Sequence, residues 1–351
     1  MKYPEILRIE DVLARLDEFD TIIDARSESE YALDHLPNAI NCPVLDDQQR
    51  IRVGTLYKQA SAFEAKKIGA ALVARNIGDH IEALWLGKPR EWKPLVYCWR
   101  GGNRSGSMAT VLAKIGWPVV QLEGGYKAFR NQVNLDLEKT PQLDFRVICG
   151  TTGSGKTRLL DTLESIGAQV LDLEQLAAHR GSVLGNIPCQ PQPSQKAFET
   201  SIWDRLRRFD PSQPVFVESE SKKVGSLRVP AALMDRMRAS PCVAMQVSRA
   251  ERVKLLIEDY QHFACNAPAL NAQLDYLTPL HGREKIAKWQ EMSSAGEMPE
   301  LVDQLLVDHY DPAYLKSIDK NFQQFGKAVQ VELADISPAS FLAAARKLHS
   351  Q

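Results

Sequence analysis

The sequence predicts an α/β protein of two parallel-sheet units, the second closed by a helical tail. Three observations predict it. Short apolar runs of strand length alternate with stretches of helical character in both halves of the chain. Two of these strands run straight into small-residue loops that open helices, at 98–105 and 150–157. The 351 residues are too many for one ordinary core and suit two domains of about 100–200 residues each.

Composition narrows the functional classes. The chain is 44% hydrophobic and 25% charged, the profile of a folded globular protein and not of a disordered one. Its net charge of −1 supplies no protein-wide field toward nucleic acid or an anionic membrane, so any RNA contact must come from a local patch. No apolar stretch approaches the ~18 residues of a spanning helix, and the N-terminus has no signal-type apolar segment. A cytoplasmic protein with no membrane partner is expected. The cysteines at 42, 98, 149, 189, 242 and 265 contain no C-x-x-C pair, which argues against a zinc ribbon or a dithiol and for reduced thiols.

Taken in order, Thr21–Ile23 reads as a strand ending in Asp24-Ala25-Arg26-Ser27, followed by a helical turn over Glu28–Leu33 and the segment His35-Leu36-Pro37-Asn38-Ala39-Ile40-Asn41. Phe63–Arg75 reads as a helix, Leu95–Tyr97 as a buried strand, Ser105–Ile115 as a helix and Val119–Leu122 as a strand. The polar stretch Asn131–Thr140 breaks the rhythm and sets the boundary, giving domains 1–135 and 136–351. Phe145–Cys149, Val170–Leu173 and Pro214–Val217 read as strands, Arg158–Ile166 as a helix, and 251–263, 299–309 and 338–349 as helical.

Cys98 ends a buried strand, and Trp99-Arg100-Gly101-Gly102-Asn103-Arg104-Ser105 carries the chain into a helix. Amides of such a loop and the positive helix end make an anion nest, in which a thiol becomes a thiolate nucleophile. Gly101 and Gly102 let the backbone curl at positive φ, and Arg100 and Arg104 can bind a tetrahedral anion, with Gly101, Gly102, Asn103 and Ser105 forming the nest. A buried cysteine before an ordinary turn is the competing reading; two arginines and an immediate helix start weigh against it. This loop, with Asp24-Ala25-Arg26 and His35 through Asn41, resembles the rhodanese family over roughly residues 5–135. The resemblance implies a rhodanese-like fold with sulfur or selenium carried on Cys98. Arg104 stands six residues after Cys98, a C-x5-R spacing shared with rhodanese-fold phosphatases, although those carry histidine where this chain has Tyr97. A phosphatase coupled to a nucleotide-binding domain is therefore the alternative reading.

Gly150-Thr151-Thr152-Gly153-Ser154-Gly155-Lys156-Thr157 fits G-x-x-x-x-G-K-[ST] and lies between a strand and a helix. Its amides should cradle phosphates, Lys156 should neutralise them, and Thr157 could hold magnesium, making a P-loop NTPase-like domain. The strand that would carry the metal-holding acids ends instead in Glu218-Ser219-Glu220, whose carboxylates could hold a metal or act as acid and base. Nothing marks a nucleotide base pocket, so a diphosphate ester other than ATP stays open. Residues 201–254 hold eleven Lys/Arg against six Asp/Glu. Arg205, Arg208, Lys222 and Lys223 of this stretch, with Arg180 of His179-Arg180-Gly181-Ser182, are candidate RNA or phosphate contacts. A solvated charged face explains the same charges equally well.

The order of the two units, with Gly54-Thr55-Leu56-Tyr57-Lys58-Gln59, Leu122-Glu123-Gly124-Gly125-Tyr126-Lys127 and Val217 through Lys223, is similar to the tRNA 2-selenouridine synthase family. The resemblance implies replacement of sulfur by selenium in wobble 2-thiouridine of tRNA. It also implies selenophosphate as donor, whether free or delivered by selenophosphate synthase, and S-geranylation from geranyl diphosphate. No tightly bound cofactor is expected. Cys98 could carry selenium or receive the departing group, and the 150–157 loop could grip the diphosphate.

Overall fold

The computed structural model describes residues 3–139, 142–182, 185–264 and 266–350. They form two compact units: the first holds the chain up to Asp136 together with Ser194–Trp203, and the second holds the rest. Thr140 and Cys265, both named above, lie outside the described residues.

In the first unit, strands β1 (Glu5–Leu7), β2 (Thr21–Asp24), β3 (Ala39–Asn41), β4 (Pro94–Tyr97) and β5 (Val120–Leu122) build one sheet in the order β1-β5-β4-β2-β3. Every pairing is parallel. A parallel sheet needs cover on both faces, which is why β4 and β5 are buried at every position and are apolar but for Gln121. Helix Asn103–Ile115 packs Met108, Ala109 and Leu112 into a core with Ile23, Val96 and three tryptophans. Trp92 lies 5.6 Å from Trp85 and 5.0 Å from Trp117, ring to ring. The helix after β4 starts two residues before its expected position, and that over 62–80 continues five residues beyond Arg75.

Two features mark the boundary. Asn131–Lys139 is the C-terminal part of helix Gly125–Lys139, whose apolar face is buried through Phe129 and Val133. Its exposed polar residues are the outer face of an amphipathic helix. The segment 194–203, distant in sequence, also belongs to the first unit. Helix Gln195–Leu206 sets Trp203 edge-on to Phe129 at 5.4 Å, and Trp203 Nε1 donates to Asp136 at 2.8 Å.

In the second unit, β6 (Asp144–Cys149), β7 (Gln169–Leu171), β8 (Pro214–Glu218), β11 (Cys242–Val247) and β12 (Val329–Leu333) form an all-parallel sheet, β12-β11-β6-β8-β7. The short strands β9 (Lys223–Val224) and β10 (Leu227–Arg228) pair as a separate hairpin. The sequence reading omits β11, although it opens on the buried apolar run Cys242–Met245, and β12. β12 is an edge strand with Gln330 and Glu332 exposed, so it lacks the continuous apolar run of an inner strand. β7 stops at Leu171, short of the expected Leu173, because Asp172 accepts from Gln175 N at 2.7 Å and caps a new helix, Leu173–Leu176.

Helix Lys156–Ser165 buries Leu159, Leu160 and Leu163 against β6 and helix Pro338–His349. A further core, with Leu270, Leu274, Trp289 and Leu301, holds the helices that follow β11. No described helix is long and apolar enough to cross a membrane.

Candidate functional site

Two loops carry the chemistry, one in each unit. In the first unit, β4 delivers Cys98, which is buried at 3% exposure, to the mouth of helix Asn103–Ile115. Ser105 Oγ, wholly buried, donates to Cys98 Sγ at 3.2 Å, and Gln121 Nε2 donates to Ser105 Oγ at 3.2 Å and to Gly101 O at 2.8 Å. The bond fixes the position of Cys98 Sγ at the mouth of the helix. Gln121 escapes the sequence reading; its one signal is a polar side chain inside an apolar strand.

The loop is braced from below by the turn after β5. Tyr126 N donates to Cys98 O at 2.8 Å and Lys127 N to Trp99 O at 3.0 Å. Gly101 and Gly125 adopt φ +66 and +57, and a Cβ on Gly125 would stand 2.2 Å from Cys98 O. Glycine is required there by both conformation and space. Gly102 departs from expectation: its φ is −95, so it caps the helix without the positive φ assigned to it.

The two loop arginines separate. Arg100 is exposed and has no carboxylate partner among the described residues. Arg104 instead pairs with both oxygens of Glu30, at 2.6 and 3.2 Å, so its guanidinium is committed to a carboxylate. Burial alone would raise the Glu30 carboxyl, but hydrogen bonds and charge from Arg104 outweigh it and hold it below the usual glutamate range. Glu30 also closes the capping box of helix Glu28–Leu33 with Ser27. Asn103 opens the cysteine-loop helix from an exposed position.

Asp24 and Arg26 are structural. Both are buried, and Arg26 meets Asp24 through Nε at 3.0 Å and Nη2 at 2.6 Å while donating to Asp34 O at 2.7 Å. Tyr97 donates to Asp24 Oδ2 at 2.8 Å and accepts from Leu36 N at 3.1 Å. Burial first, then the Asp24 charge, pushes the Tyr97 hydroxyl far above its ordinary range, so it serves as a neutral donor. Asp34 accepts from Tyr126 at 2.7 Å and Thr200 at 3.1 Å.

In the second unit, Gly150–Thr157 links β6 to helix Lys156–Ser165, as the pattern requires. Lys156 Nζ folds back onto Gly150 O at 2.8 Å, and Tyr314 accepts from Gly150 N at 2.6 Å. Ser154 is buried and its hydroxyl has no partner among the described residues. Such an orphan, in a loop of inward-facing amides, fits a phosphate oxygen.

Acids converge beside the loop. Thr157 Oγ1 donates to Glu174 Oε2 at 3.3 Å, and Glu218 Oε1 accepts from Glu174 N at 2.8 Å. Desolvation, then the Glu220 charge, pushes Glu174 up to about 8. Desolvation likewise raises Asp172 to about 6 and raises Glu218 and Glu220. Mutual repulsion compounds burial, so Glu174 keeps its proton at neutral pH while Asp172 titrates just below it. Asp172 and Glu174 were not singled out in the sequence. Among the described residues no three acid, histidine or cysteine groups gather as a metal-holding set, and Thr157 is engaged by Glu174.

The candidate RNA contacts are dispersed. Arg205 pairs with Glu164 at 2.5 Å and Arg208 with Asp204 at 2.8 Å. Arg252, counted in the basic excess, is buried against Asp311 at 2.5 Å and holds Thr152 O at 2.9 Å. Arg180 donates to Asp259 O at 2.7 Å and lies 4.7 Å over the Tyr260 ring. Lys222 and Lys223 are exposed at the hairpin start.

A buried cysteine in a helix-capping loop and a phosphate loop of the G-x-x-x-x-G-K-[ST] type define a two-site transferase class, a rhodanese-like unit fused to a P-loop unit. Comparison with known proteins agrees: residues 9–132 match the rhodanese-like domain family, and 143–276 match the tRNA 2-selenouridine synthase AAA domain family. A tRNA 2-selenouridine synthase of Sulfurovum sp. (strain NBC37-1) is 31% identical over 343 residues, covering 89% of this chain and 93% of its own. One from Pseudomonas fluorescens (strain Pf-5) is 31% identical over 342 residues, covering 89% and 91%. One from Nitrosomonas europaea is 34% identical over 265 residues, covering 74% and 68%. The chain belongs to the tRNA 2-selenouridine synthase family.

Proposed function

We propose that this member of the family replaces sulfur by selenium in wobble 2-thiouridine of tRNA in two substitutions, with geranyl diphosphate and selenophosphate as donors. In the first, the thiouridine sulfur attacks the first carbon of the geranyl chain; a C–S bond forms, the C–O bond breaks, and pyrophosphate leaves. In the second, selenium of selenophosphate attacks C2 of the base, geranyl thiolate departs, and water takes the phosphoryl group as phosphate. Neither substitution needs an oxidant or reductant. Alkylation turns a poor leaving group into a better one.

The phosphate loop is assigned the diphosphate, with Lys156 and the loop amides neutralising it and the unpartnered Ser154 hydroxyl turned to an oxygen. The protonated acids beside it tolerate an incoming polyanion better than ionised ones. The cysteine loop is assigned selenophosphate, received by loop amides and Arg100. Cys98 Sγ lies at the floor of that loop, beside the exchange. The observation that carries this reading is Cys98 Sγ held by Ser105 at the floor of an anion-sized loop. Lys222 and Lys223 remain the exposed candidates for the tRNA backbone.

The phosphatase alternative loses ground on geometry. Its arginine, Arg104, is paired by Glu30, and Tyr97, in the place of its histidine, is spent on Asp24. The test is nucleoside mass spectrometry on 2-thiouridine tRNA incubated with pure protein and each donor, separately and together. A geranyl mass gain with the first donor, then selenouridine only with both, supports the reading; unchanged tRNA under every condition removes it.

A further inference from the structure

Within the second unit lies a partly open apolar cleft. Its walls are apolar side chains of helices Arg249–Asp259, Ala267–Leu274 and Met298–Leu305, among them Leu256, Leu270, Val302 and Leu305. Its polar lining is confined to Thr152 of the phosphate loop, Ser182, and the tyrosines Tyr260 and Tyr310. The loop and the cleft are contiguous. A Cβ on Gly153 would stand 2.9 Å from Leu256 Cδ1, so the loop backbone lies directly on a cleft-lining leucine. Buried Arg252 fixes that edge by holding Thr152 O.

We propose that this cleft seats the hydrocarbon chain of a diphosphate ester whose head group lies in the phosphate loop. The inference rests on the donor reading above and assigns its second half a place. No charged residue lines its walls. A nucleobase would leave its ring-edge donors and acceptors facing leucines, which is costly, whereas a hydrocarbon chain needs no hydrogen-bond partner. A phosphate loop opening onto a greasy slot therefore selects an amphiphile, with charge at one end and an apolar chain at the other. Chain length becomes the basis of specificity, because each buried methylene is worth roughly 4-fold in affinity.

The experiment is calorimetric binding of pyrophosphate, dimethylallyl diphosphate, geranyl diphosphate and ATP to the full chain and to Val302→Trp, Met298→Trp and Lys156→Ala. Val302 and Met298 are only partly buried, so tryptophan there fills the cleft from its open side. Geranyl diphosphate should bind the unaltered protein roughly 100-fold or more tighter than dimethylallyl diphosphate, which is shorter by one five-carbon unit. Either tryptophan should remove that advantage and leave pyrophosphate binding, the check on folding, intact; Lys156→Ala should weaken every ligand. If geranyl diphosphate binds no tighter than pyrophosphate to the unaltered protein, the donor reading fails and the cleft assignment with it. If it binds tightly and both tryptophans leave it unchanged, the cleft assignment alone fails. Tight ATP binding that the tryptophans abolish would assign the cleft to a nucleobase and overturn the proposal.

Discussion

The Ser105 hydroxyl points at Cys98 Sγ from 3.2 Å and is itself held by Gln121. Serine and cysteine are seven positions apart, brought together by one strand, one loop and the first turn of a helix. Ser105→Ala removes a hydrogen bond to a buried sulfur, an interaction worth about 0.5–1.5 kcal/mol. Iodoacetamide alkylation of Cys98 at neutral pH should change by up to about 10-fold, followed by peptide mass spectrometry with Cys98→Ser as the blank. An unchanged rate would mean that this bond has no part in the reactivity of the sulfur.

The turn below the loop makes a separate demand. Gly125→Ala places a methyl 2.2 Å from Cys98 O at a φ of +57, so loop and turn must part. A loss above about 2 kcal/mol of stability is expected, read by thermal or urea unfolding. Gly87, with open space around it, is the control, and Gly87→Ala should stay within about 0.5 kcal/mol.

Tyr97→Phe tests the buried network. It removes the donor to Asp24 and the acceptor for Leu36 N with no change in side-chain shape. Two buried groups lose partners, and about 1–3 kcal/mol of stability should go with them. Alkylation of Cys98 should be unaffected if Tyr97 is structural.

The acids beside the phosphate loop make stability depend on pH. Folding raises Glu174 to about 8 and Asp172 to about 6, so the folded state binds more protons than the unfolded one. The stabilisation that protonation gives is complete below the ordinary carboxyl range and is lost as pH rises through 6 and then 8. The unfolding midpoint of the second unit should therefore fall across that interval, and Glu174→Gln should flatten the decline. Binding of pyrophosphate, which adds negative charge beside these acids, should take up protons, measurable by calorimetry in buffers of different ionisation heat.

Much of the fold was legible because parallel strands are buried on both faces. β4 appears as an apolar run and β6 closes on one, Val147–Cys149, each followed by a loop whose glycines and basic residues advertise an anion. The edge strand β12 lacks that signature, whereas β11 carries it in Cys242–Met245. The polar surface of helix Gly125–Lys139 reads as a break in the strand–helix rhythm because solvent, on a helix face or a loop, selects the same residue types.

The sequence by itself determined the two loops, their order and the family, since each loop is a contiguous run whose chemistry depends on local spacing. Tertiary structure decided what those residues meet. Arg104 and Glu30 lie 74 positions apart, and only the packing of helix Glu28–Leu33 beside the cysteine loop turns an expected anion ligand into an ion pair. The same holds for Gln121 behind Ser105, for the acids whose pKa values rise through mutual burial, and for a cleft assembled from helices far apart in the chain. Their common cause is desolvation and proximity between distant segments, which local spacing does not encode.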